Sequence, residues 1–284
     1  MDYPSPTGLS RRTFAKTLGV AACLSVPAWA APGHRLRRIG FIAGIVSKEL
    51  EHDWRATLQK AAGYGFTELE TGRHFGDSAP GFVKYCRQIG LKTIGGGVPL
   101  SADKEKLKPQ LDQLNGLGAT YAAVYWPWLV GGPFSLSDCQ RSADLLNSMG
   151  EICREHGLAL CWHNHDKEFI PMEAGLPFDY LMAHTDPQLV KCEMDVYWVA
   201  KGGADPVAVL QKHTGRYAIL HVKDMADGNA KAIGCPGSGI LGFPAILAEA
   251  HRQGIGHFMV EQDNTTDGLA CLQASGRYLR QLRF

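Results

Sequence analysis

The sequence ALCWHNHDKEFIPMEAGLPFDYLMAHTDPQLVKCEMD, residues 159–195, holds one complete strand–helix–strand unit. Its first five residues, ALCWH, and its last five, KCEMD, predict buried strands, because such runs are too short to form stable helices. The segment near 176–184 predicts the helix between them. Each predicted strand ends in an ionisable residue, His163 in the first and Asp195 in the second. Strands connected in this way run parallel with a right-handed crossover, so both strand ends lie on the same side of the sheet.

The same alternation continues in both directions from this unit and begins at Arg38. Eight strand-then-helix units in series predict the α/β class and a single (β/α)8 TIM barrel. An open doubly wound sheet is the alternative, but it more often carries a glycine-rich phosphate loop after its first strand, and Gly40 and Gly44 lack that context. The other predicted strands are 38–45, 67–70, 92–95, 121–125, 217–221 and 257–261.

Capping residues predict where the helices begin, and glycines such as Gly90 and Gly157 predict where they end. The predicted helix starts are Asp53, Ser78, Ser101, Asp138, Asp205, Gly242 and Asp267.

Residues 1–30 have the features of an export signal. The motif 10–16, SRRTFAK, resembles a twin-arginine signal, a mildly apolar run follows, and Ala28-Trp29-Ala30 matches an A-x-A cleavage site. The apolar run is too short to span a bilayer as a mature helix. We therefore expect a periplasmic protein with a mature domain of residues 31–284 and no membrane span. The alternatives are a disordered N-terminal arm and a lipoprotein cleavage box, VAAC at 20–23, that would leave a lipid on Cys23.

Charge and cysteine content narrow the function classes. The 284-residue chain has a formal net charge of +1, and removal of residues 1–30 leaves 26 basic and 27 acidic residues. Neither balance favours a nucleic-acid-binding protein. Eight cysteines occur, one of them within residues 1–30, and the other seven include no CxxC pair. We therefore expect no disulfide framework, with the cysteines packed as small hydrophobic residues.

Five predicted strands end in a residue that can bind a metal or carry a proton. The carboxyl ends of barrel strands all face the rim where active sites are built, and charged groups there are costly unless paired or metal-bound. Carboxylate and imidazole ligands suit Mn, Zn, Co or Fe, so one divalent ion is the expected cofactor. The five residues are Glu70, His163, Asp195, His221 and Glu261.

Residues near these strand ends suggest further roles. His163 and His165 are two positions apart, so both side chains point to one face of an extended strand. His165 and Glu261 are candidate general bases, and Lys223 is placed to hold a sugar hydroxyl or a developing enolate oxygen. The predicted substrate contacts are Glu70, Trp126 and Trp198, although a tryptophan at either position is equally expected as a core residue.

Several segments together resemble the sugar phosphate isomerase/epimerase group of xylose isomerase-like TIM barrels. They are HNHDKEF (163–169), EMDVYW (193–198), HVKDM (221–225), GSGILGFPAIL (237–247) and VEQD (260–263). The resemblance runs from about Arg38 to Phe284. It implies a divalent metal held by one side chain from each of the last four barrel strands, which are His163, Asp195, His221 and Glu261. Many relatives have Glu at the first of these positions, and Glu168 is a further candidate that would supply the carboxylate.

The predicted pocket beside these ligands departs from the pattern of the family. Relatives often read QLYSVR along the first strand, where residues 42–47 read IAGIVS. They often have His before the VPL of the third strand, where Gly97 stands, and GEG where residues 237–239 read GSG. Three polar groups that face the substrate in relatives are therefore absent, while the metal-binding rim is kept.

These features predict a metal-dependent enzyme that acts on a small-molecule sugar or keto-sugar through an enediolate. Isomerisation, epimerisation and β-elimination share this intermediate, so all three stay open. Export favours environmental sugars or oxidised glycosides as substrates. Two alternatives are a same-fold nuclease resembling endonuclease IV, which the charge balance disfavours, and a non-catalytic periplasmic sugar-binding or accessory protein on the scaffold of a former enzyme.

Overall fold

The structure is a computed structural model that describes residues 33–284, and the predicted export signal lies outside the described residues. Eight parallel strands close into a barrel, in which each strand pairs with the barrel strands before and after it in the chain and the first strand pairs with the last. This closure confirms the predicted (β/α)8 barrel. The barrel strands are β1 (Gly40–Ile42), β2 (Glu68–Glu70), β3 (Lys92–Gly97), β4 (Tyr121–Val124), β5 (Ala159–His163), β6 (Val190–Asp195), β7 (Tyr217–Val222) and β10 (His257–Val260).

Helices follow the strands and pack around the barrel. Among residues 33–284, no helix is both long enough and apolar enough to cross a membrane. The helices are α1 (Ser47–Gly63), α2 (Ala79–Gln88), α3 (Lys104–Gly116), α4 (Leu136–Glu155), α5 (Pro177–His184), α6 (Val196–Lys201), α7 (Pro206–Lys212), α8 (Phe243–Arg252) and α9 (Gly268–Gln281), with 3-10 turns at Ala43–Val46 and Lys167–Phe169.

Four of the seven predicted helix starts are confirmed, and three differ. Helix α1 begins at Ser47, before the predicted start at Asp53. Asp53 has extended backbone angles inside α1, and its side chain accepts a backbone N–H of the next turn at 3.0 Å, as a capping residue does. The prediction of Ser101 as a cap is wrong, because its hydroxyl accepts the N–H of Asp103 in a preceding turn and Asp103 caps α3. Helix α4 begins after Ser135 rather than at Asp138, and these two residues form a capping box.

The first strand is shorter than predicted. β1 ends at Ile42 because residues 43–46 turn into a 3-10 helix that leads into α1. β3 is longer than predicted and continues to Gly97. A second, small layer of packing fills the barrel interior with Ile94, Cys161, Ile219 and Met259, so the barrel is a packed core below its carboxyl-terminal rim.

A disulfide joins Cys235 to Cys271, with their Cα atoms 5.6 Å apart. The expectation of no disulfide is therefore wrong at this pair. The two cysteines are 36 positions apart, so no local spacing in the sequence marks them as partners. The structure brings them together because the loop that contains Cys235 packs against α9. The five other cysteines in the described range are free and buried, as expected.

A short antiparallel hairpin, β8 (Asp224–Met225) with β9 (Ile233–Gly234), follows β7. Asp224 is buried, and its carboxylate accepts the backbone N–H groups of Gly237 and Gly239 at 2.9 Å each. A side chain at position 239 would collide with the carbonyl of Met225. The backbone of the GSG segment, residues 237–239, therefore wraps around the Asp224 carboxylate, and position 239 requires glycine.

Candidate active site

Four predicted ligands converge at the carboxyl-terminal rim of the barrel. His163 ends β5, Asp195 ends β6, His221 lies near the end of β7 and Glu261 follows β10. These four strands are consecutive neighbours in the barrel, so their ends are adjacent although up to about 100 residues separate them in the chain. One ligand atom from each of the four side chains lies within 4.8 Å of the others. We call these four residues the ligand group.

Close contacts within the ligand group link the side chains in pairs. His221 Nδ1 lies 2.6 Å from Glu261 Oε2, and His163 Nε2 lies 3.9 Å from Asp195 Oδ2. The two carboxylate oxygens of Asp195 have different contacts. Oδ1 caps α6 by accepting the N–H groups of Tyr197 and Trp198 at 2.8 and 3.2 Å, which leaves Oδ2 to face the ligand group.

Burial and neighbouring charges set the protonation of the two ligand imidazoles. Burial and the adjacent His221 lower the pKa of His163 well below its usual value, so this ring is neutral, as a metal ligand must be. Burial alone would lower the pKa of His221 too, but the carboxylates around that ring raise its pKa well above the usual value. Without a cation, His221 therefore carries the positive charge that balances the cluster.

A deeper layer of ionisable residues supports the ligand group from inside the barrel. Glu70 accepts a hydrogen bond from the Tyr125 hydroxyl at 2.5 Å and contacts His221 Nε2 at 3.0 Å. Glu193 contacts the same nitrogen at 3.1 Å. Both carboxylates are fully buried. Glu70, predicted to contact substrate, is thus placed behind His221 with both oxygens engaged.

The sequence prediction missed Glu193 and Tyr125. Glu193 stands two positions before Asp195 on β6, so the alternation of side chains along a strand was the signal that could have placed it on the same face. Tyr125 follows β4, where the prediction assigned no ionisable rim residue. A Cβ at Gly97 would lie 2.6 Å from the Tyr125 ring. The tyrosine ring therefore fills the space that a side chain at position 97 would need.

Lys223 is a buried cation in contact with three carboxylates. It is 1% exposed, and its Nζ lies 3.2 Å from Asp195 Oδ2, 3.3 Å from Glu261 Oε2 and 3.0 Å from Asp263 Oδ2. Burial would lower its pKa, but these carboxylates raise the pKa of Lys223 above its usual value. The ammonium group is therefore charged and held at the edge of the ligand group.

His165 lies in an aromatic wall formed with Trp126 and Trp198. The centroid of its ring lies 5.2 Å from that of Trp126 and 5.1 Å from that of Trp198, and Lys223 Nζ lies 4.9 Å from the centroid of Trp198. All three rings of the wall are half-buried. Burial, and then the charge of Lys223, lower the pKa of His165 to about 4, so its imidazole is neutral at neutral pH.

Glu168 fixes the loop that follows β5 and carries His165. It is fully buried, and its two oxygens accept hydrogen bonds from Trp128 Nε1 at 2.8 Å and from the backbone N–H of His165 at 3.1 Å. Burial raises the pKa of Glu168 to about 7, and the two hydrogen bonds oppose this shift. The structure does not place Glu168 within the ligand group.

The donor set fits a divalent metal ion. Asp195 Oδ2, which faces the ligand group, is buried and makes no regular hydrogen bond within residues 33–284, although Lys223 Nζ lies 3.2 Å away. Burial raises the pKa of Asp195 to about 7, because the carboxylate is dehydrated without full compensation. A cation at the ligand group would supply that compensation. Two imidazoles and two carboxylates are the ligand types that Zn, Mn, Co and Fe accept.

The fold and this rim define a (β/α)8-barrel protein with its ionisable site at the carboxyl ends of the strands. Residues 58–282 match the family described as xylose isomerase-like TIM barrel. The chain belongs to this family.

Named relatives include dehydratases, isomerases and epimerases. An inosose dehydratase from Geobacillus kaustophilus is 27% identical over 189 residues, which are 59% of this chain and 61% of that protein. The match thus spans about three fifths of the relative's length. A sugar phosphate isomerase/epimerase from Parabacteroides distasonis superposes with a TM-score of 0.74 at 25% identity, covering 86% of this chain and 98% of that one. A 3-keto-D-glucoside 4-epimerase from E. coli shares the fold, with a TM-score of 0.63 and 17% identity over 86% and 99% of the two chains.

Proposed function

We propose that this protein is a divalent-metal-dependent enzyme that removes a proton next to the carbonyl group of a sugar or keto-sugar. The observation that carries the proposal is the convergence of four ligand atoms within 4.8 Å at the ends of four adjacent strands, with a buried lysine touching two of the four residues. The names of the relatives, dehydratase and isomerase/epimerase, support a substrate of this kind.

His163, Asp195, His221 and Glu261 would hold the metal. When bound, a divalent ion acts as a Lewis acid that polarises a substrate carbonyl and stabilises the enediolate oxygen. Mn, Zn, Co and Fe all suit this donor set.

The protein's own residues would position the substrate and move its proton. Trp126 and Trp198 provide flat faces for a sugar ring. His165 stands between them as a neutral base, and Glu261 is the second candidate base. As the base takes the proton, the C–H electron pair forms a carbon–carbon double bond and the carbonyl oxygen gains negative charge. Lys223, held charged beside the ligand group, stabilises that oxygen.

The fate of the electron pair decides the reaction. Reprotonation at the former carbonyl carbon isomerises the substrate, because the adjacent hydroxyl passes its proton to the former carbonyl oxygen and becomes the new carbonyl. Reprotonation at the original carbon from the opposite face epimerises it. Loss of a protonated β-substituent as water or an alcohol gives elimination. All three begin with the same proton removal, so exchange of that hydrogen with solvent reports on each of them.

The first test is metal analysis combined with this exchange. The wild-type protein and an Asp195→Ala, His221→Ala double variant are analysed for bound Mn, Zn, Co and Fe. A matched control is Asp179→Ala, His213→Ala, which removes one aspartate and one histidine that contact each other at 2.7 Å outside the ligand group. We expect about one equivalent of metal in the wild type and the control, and none in the double variant.

Turnover is then followed in heavy water with keto-sugars, cyclic polyhydroxy ketones and 3-keto-glycosides. We expect metal-dependent uptake of deuterium that is lost in Lys223→Met and reduced in His165→Gln. A wild-type protein that binds no metal, even after addition of Mn or Co, would contradict the enzymatic proposal. That result would favour a non-catalytic sugar-binding protein.

We also propose that the protein is exported by the twin-arginine route and acts in the periplasm. The motif around Arg11 and Arg12 supports this, as does the Cys235–Cys271 disulfide, because such bonds persist mainly in oxidising compartments. The test is fractionation of cells that express the full chain with Arg11→Lys and Arg12→Lys. Unchanged periplasmic recovery of this variant would contradict the proposed route.

A further inference from the structure

Glu193 is a fully buried carboxylate that the proposed chemistry leaves without a task. It stands on β6 two positions before Asp195, one step deeper in the barrel. Neither of its oxygens has a regular hydrogen bond to any residue within 33–284. An ionised carboxylate in such a place is costly unless neighbouring groups compensate its charge.

The groups next to Glu193 are the two imidazoles of the ligand group. A single oxygen, Oε1, lies 3.3 Å from His163 Nδ1 and 3.1 Å from His221 Nε2. The two rings are themselves adjacent, with centroids 4.8 Å apart. Glu193 therefore bridges both histidines from below, on the side away from Asp195 and Glu261.

The two contacts involve different ring nitrogens, and this difference matters. A neutral imidazole carries its proton on one nitrogen and a free lone pair on the other, and a carboxylate fixes which nitrogen is protonated. Contact at His163 Nδ1 places the proton there and leaves Nε2, which faces Asp195, as the lone-pair nitrogen. Contact at His221 Nε2 holds a proton there, so the proton that a bound cation would replace is the one on Nδ1, which lies 2.6 Å from Glu261 Oε2.

With a cation bound, one carboxylate would thus select opposite tautomers in two neighbouring rings, and both lone pairs would face the ligand group. We propose that Glu193 is a positioning residue that acts through His163 and His221 to prepare them for a divalent metal. It also restores, behind the rings, the negative charge absent from the ligand group because β5 ends in an imidazole. This inference rests on the metal site of the proposed function.

Glu193 and Glu70 divide this task unequally. Glu70 contacts His221 Nε2 at 3.0 Å, so His221 keeps a partner when Glu193 is removed. For Nδ1 of His163, Glu193 is the carboxylate in contact within the described residues. Loss of Glu193 should therefore affect mainly His163.

The test uses two variants and a matched control. Glu193→Gln keeps the shape and an acceptor oxygen but removes the charge, and Glu193→Leu removes both. Glu68→Gln is the control, because Glu68 is also a buried carboxylate of a barrel strand but contacts Arg38 and His257 at the opposite end of the barrel. Circular dichroism of each metal-free protein checks folding.

Zinc and manganese affinities are measured by competition with a chelator, and histidine tautomers by long-range ¹H–¹⁵N correlation spectra of zinc-loaded protein. We expect the Glu193 variants to bind metal about 10- to 100-fold more weakly, with Glu68→Gln unchanged. In the wild type, His163 should carry its proton on Nδ1 and His221 on Nε2, and Glu193→Leu should lose the preference at His163.

The outcomes separate this inference from the proposed function. Wild-type metal binding with unchanged affinity and tautomers in both Glu193 variants would overturn the role of Glu193 alone. An equal loss of affinity in Glu68→Gln would also overturn it, because the effect would then be general to buried carboxylates. No metal binding by the wild type would overturn the proposed function and this inference with it.

Discussion

The disulfide between Cys235 and Cys271 should contribute measurably to stability. The bond closes a segment with a sequence separation of 36 residues. In the chain-entropy treatment, a loop of this size restricts the unfolded chain by roughly 4 kcal/mol at 25 °C. For a domain of this size, each kcal/mol shifts the melting temperature by about 2–4 °C. A Cys235→Ser, Cys271→Ser double variant should therefore have a lower melting temperature than the wild type, and the largest decrease expected is roughly 8–15 °C.

Thermal unfolding of wild type and variant, each with and without a phosphine reductant, measures this difference. Intact mass before and after reduction establishes whether the bond is present. Reduction should lower the melting temperature of the wild type to that of the variant and leave the variant unchanged, which serves as the control for other effects of the reductant. A wild type that contains the bond but melts at the same temperature after reduction would refute the reasoning. So would a preparation in which every cysteine reacts as a free thiol.

Three further predictions concern the rim and its supports. Lys223→Met should destabilise the metal-free protein by about 3–5 kcal/mol, because it leaves buried carboxylates unpaired; added metal should recover part of this loss, and thermal melting with and without chelator tests both statements. Burial raises the pKa of Glu168 to about 7, so folding takes up a proton there and stability should fall as the pH rises from about 4 to about 7. Glu168→Gln should flatten this slope in urea unfolding at several pH values, and an unchanged slope would contradict the assignment. Gly97→Ala should cost about 1–3 kcal/mol through overpacking against the Tyr125 ring, and a Gly97→Ala, Tyr125→Leu double variant should recover most of it; purely additive losses would show that the two positions are independent.

The barrel was predictable because each strand can be recognised from its own short stretch of sequence. Runs such as 159–163 and 217–221 are short, largely apolar and flanked by helix-length segments, and the closure follows from their regular repetition. The start of α3 was placed two residues too early, since serine and aspartate cap helices equally well and the choice between Ser101 and Asp103 depends on the turn before the helix.

The rim was predictable for a related reason, since in a parallel barrel every strand ends on the same face. That rule places His163, Asp195, His221 and Glu261 together without any knowledge of their distances, and the structure brings them within 4.8 Å. It says nothing about which groups lie beneath them. A rule based on the last residue of each strand does not select Glu193, which lies two positions before the end of β6.

Contacts between distant segments were beyond the reach of the sequence. Cys235 and Cys271 carry no spacing signal, and their pairing depends on how a loop packs on α9. The filling of the space beside Gly97 by Tyr125 likewise depends on the side-by-side packing of β3 and β4. In the sequence, Gly97 indicates that a polar group is absent from the pocket. In the structure, the Tyr125 ring occupies the space beside this glycine.

The carboxylate of Asp224 has a consequence for how this scaffold can change over evolutionary time. It fixes the 237–241 loop through backbone N–H groups of Gly237, Gly239 and Leu241. Apart from the two glycines, which leave no space for a side chain, the loop's shape therefore depends little on which residues it contains. The tip of the preceding hairpin, residues 227–231, is exposed and tolerates variation in length and composition on general grounds. The 237–241 loop is held by Asp224, whereas the hairpin tip on the same rim is exposed. Substitutions at the tip can therefore change contacts at the rim without disturbing the ends of the strands. Directed evolution that randomises 227–230 while retaining Asp224 and Gly239 would exploit the same separation.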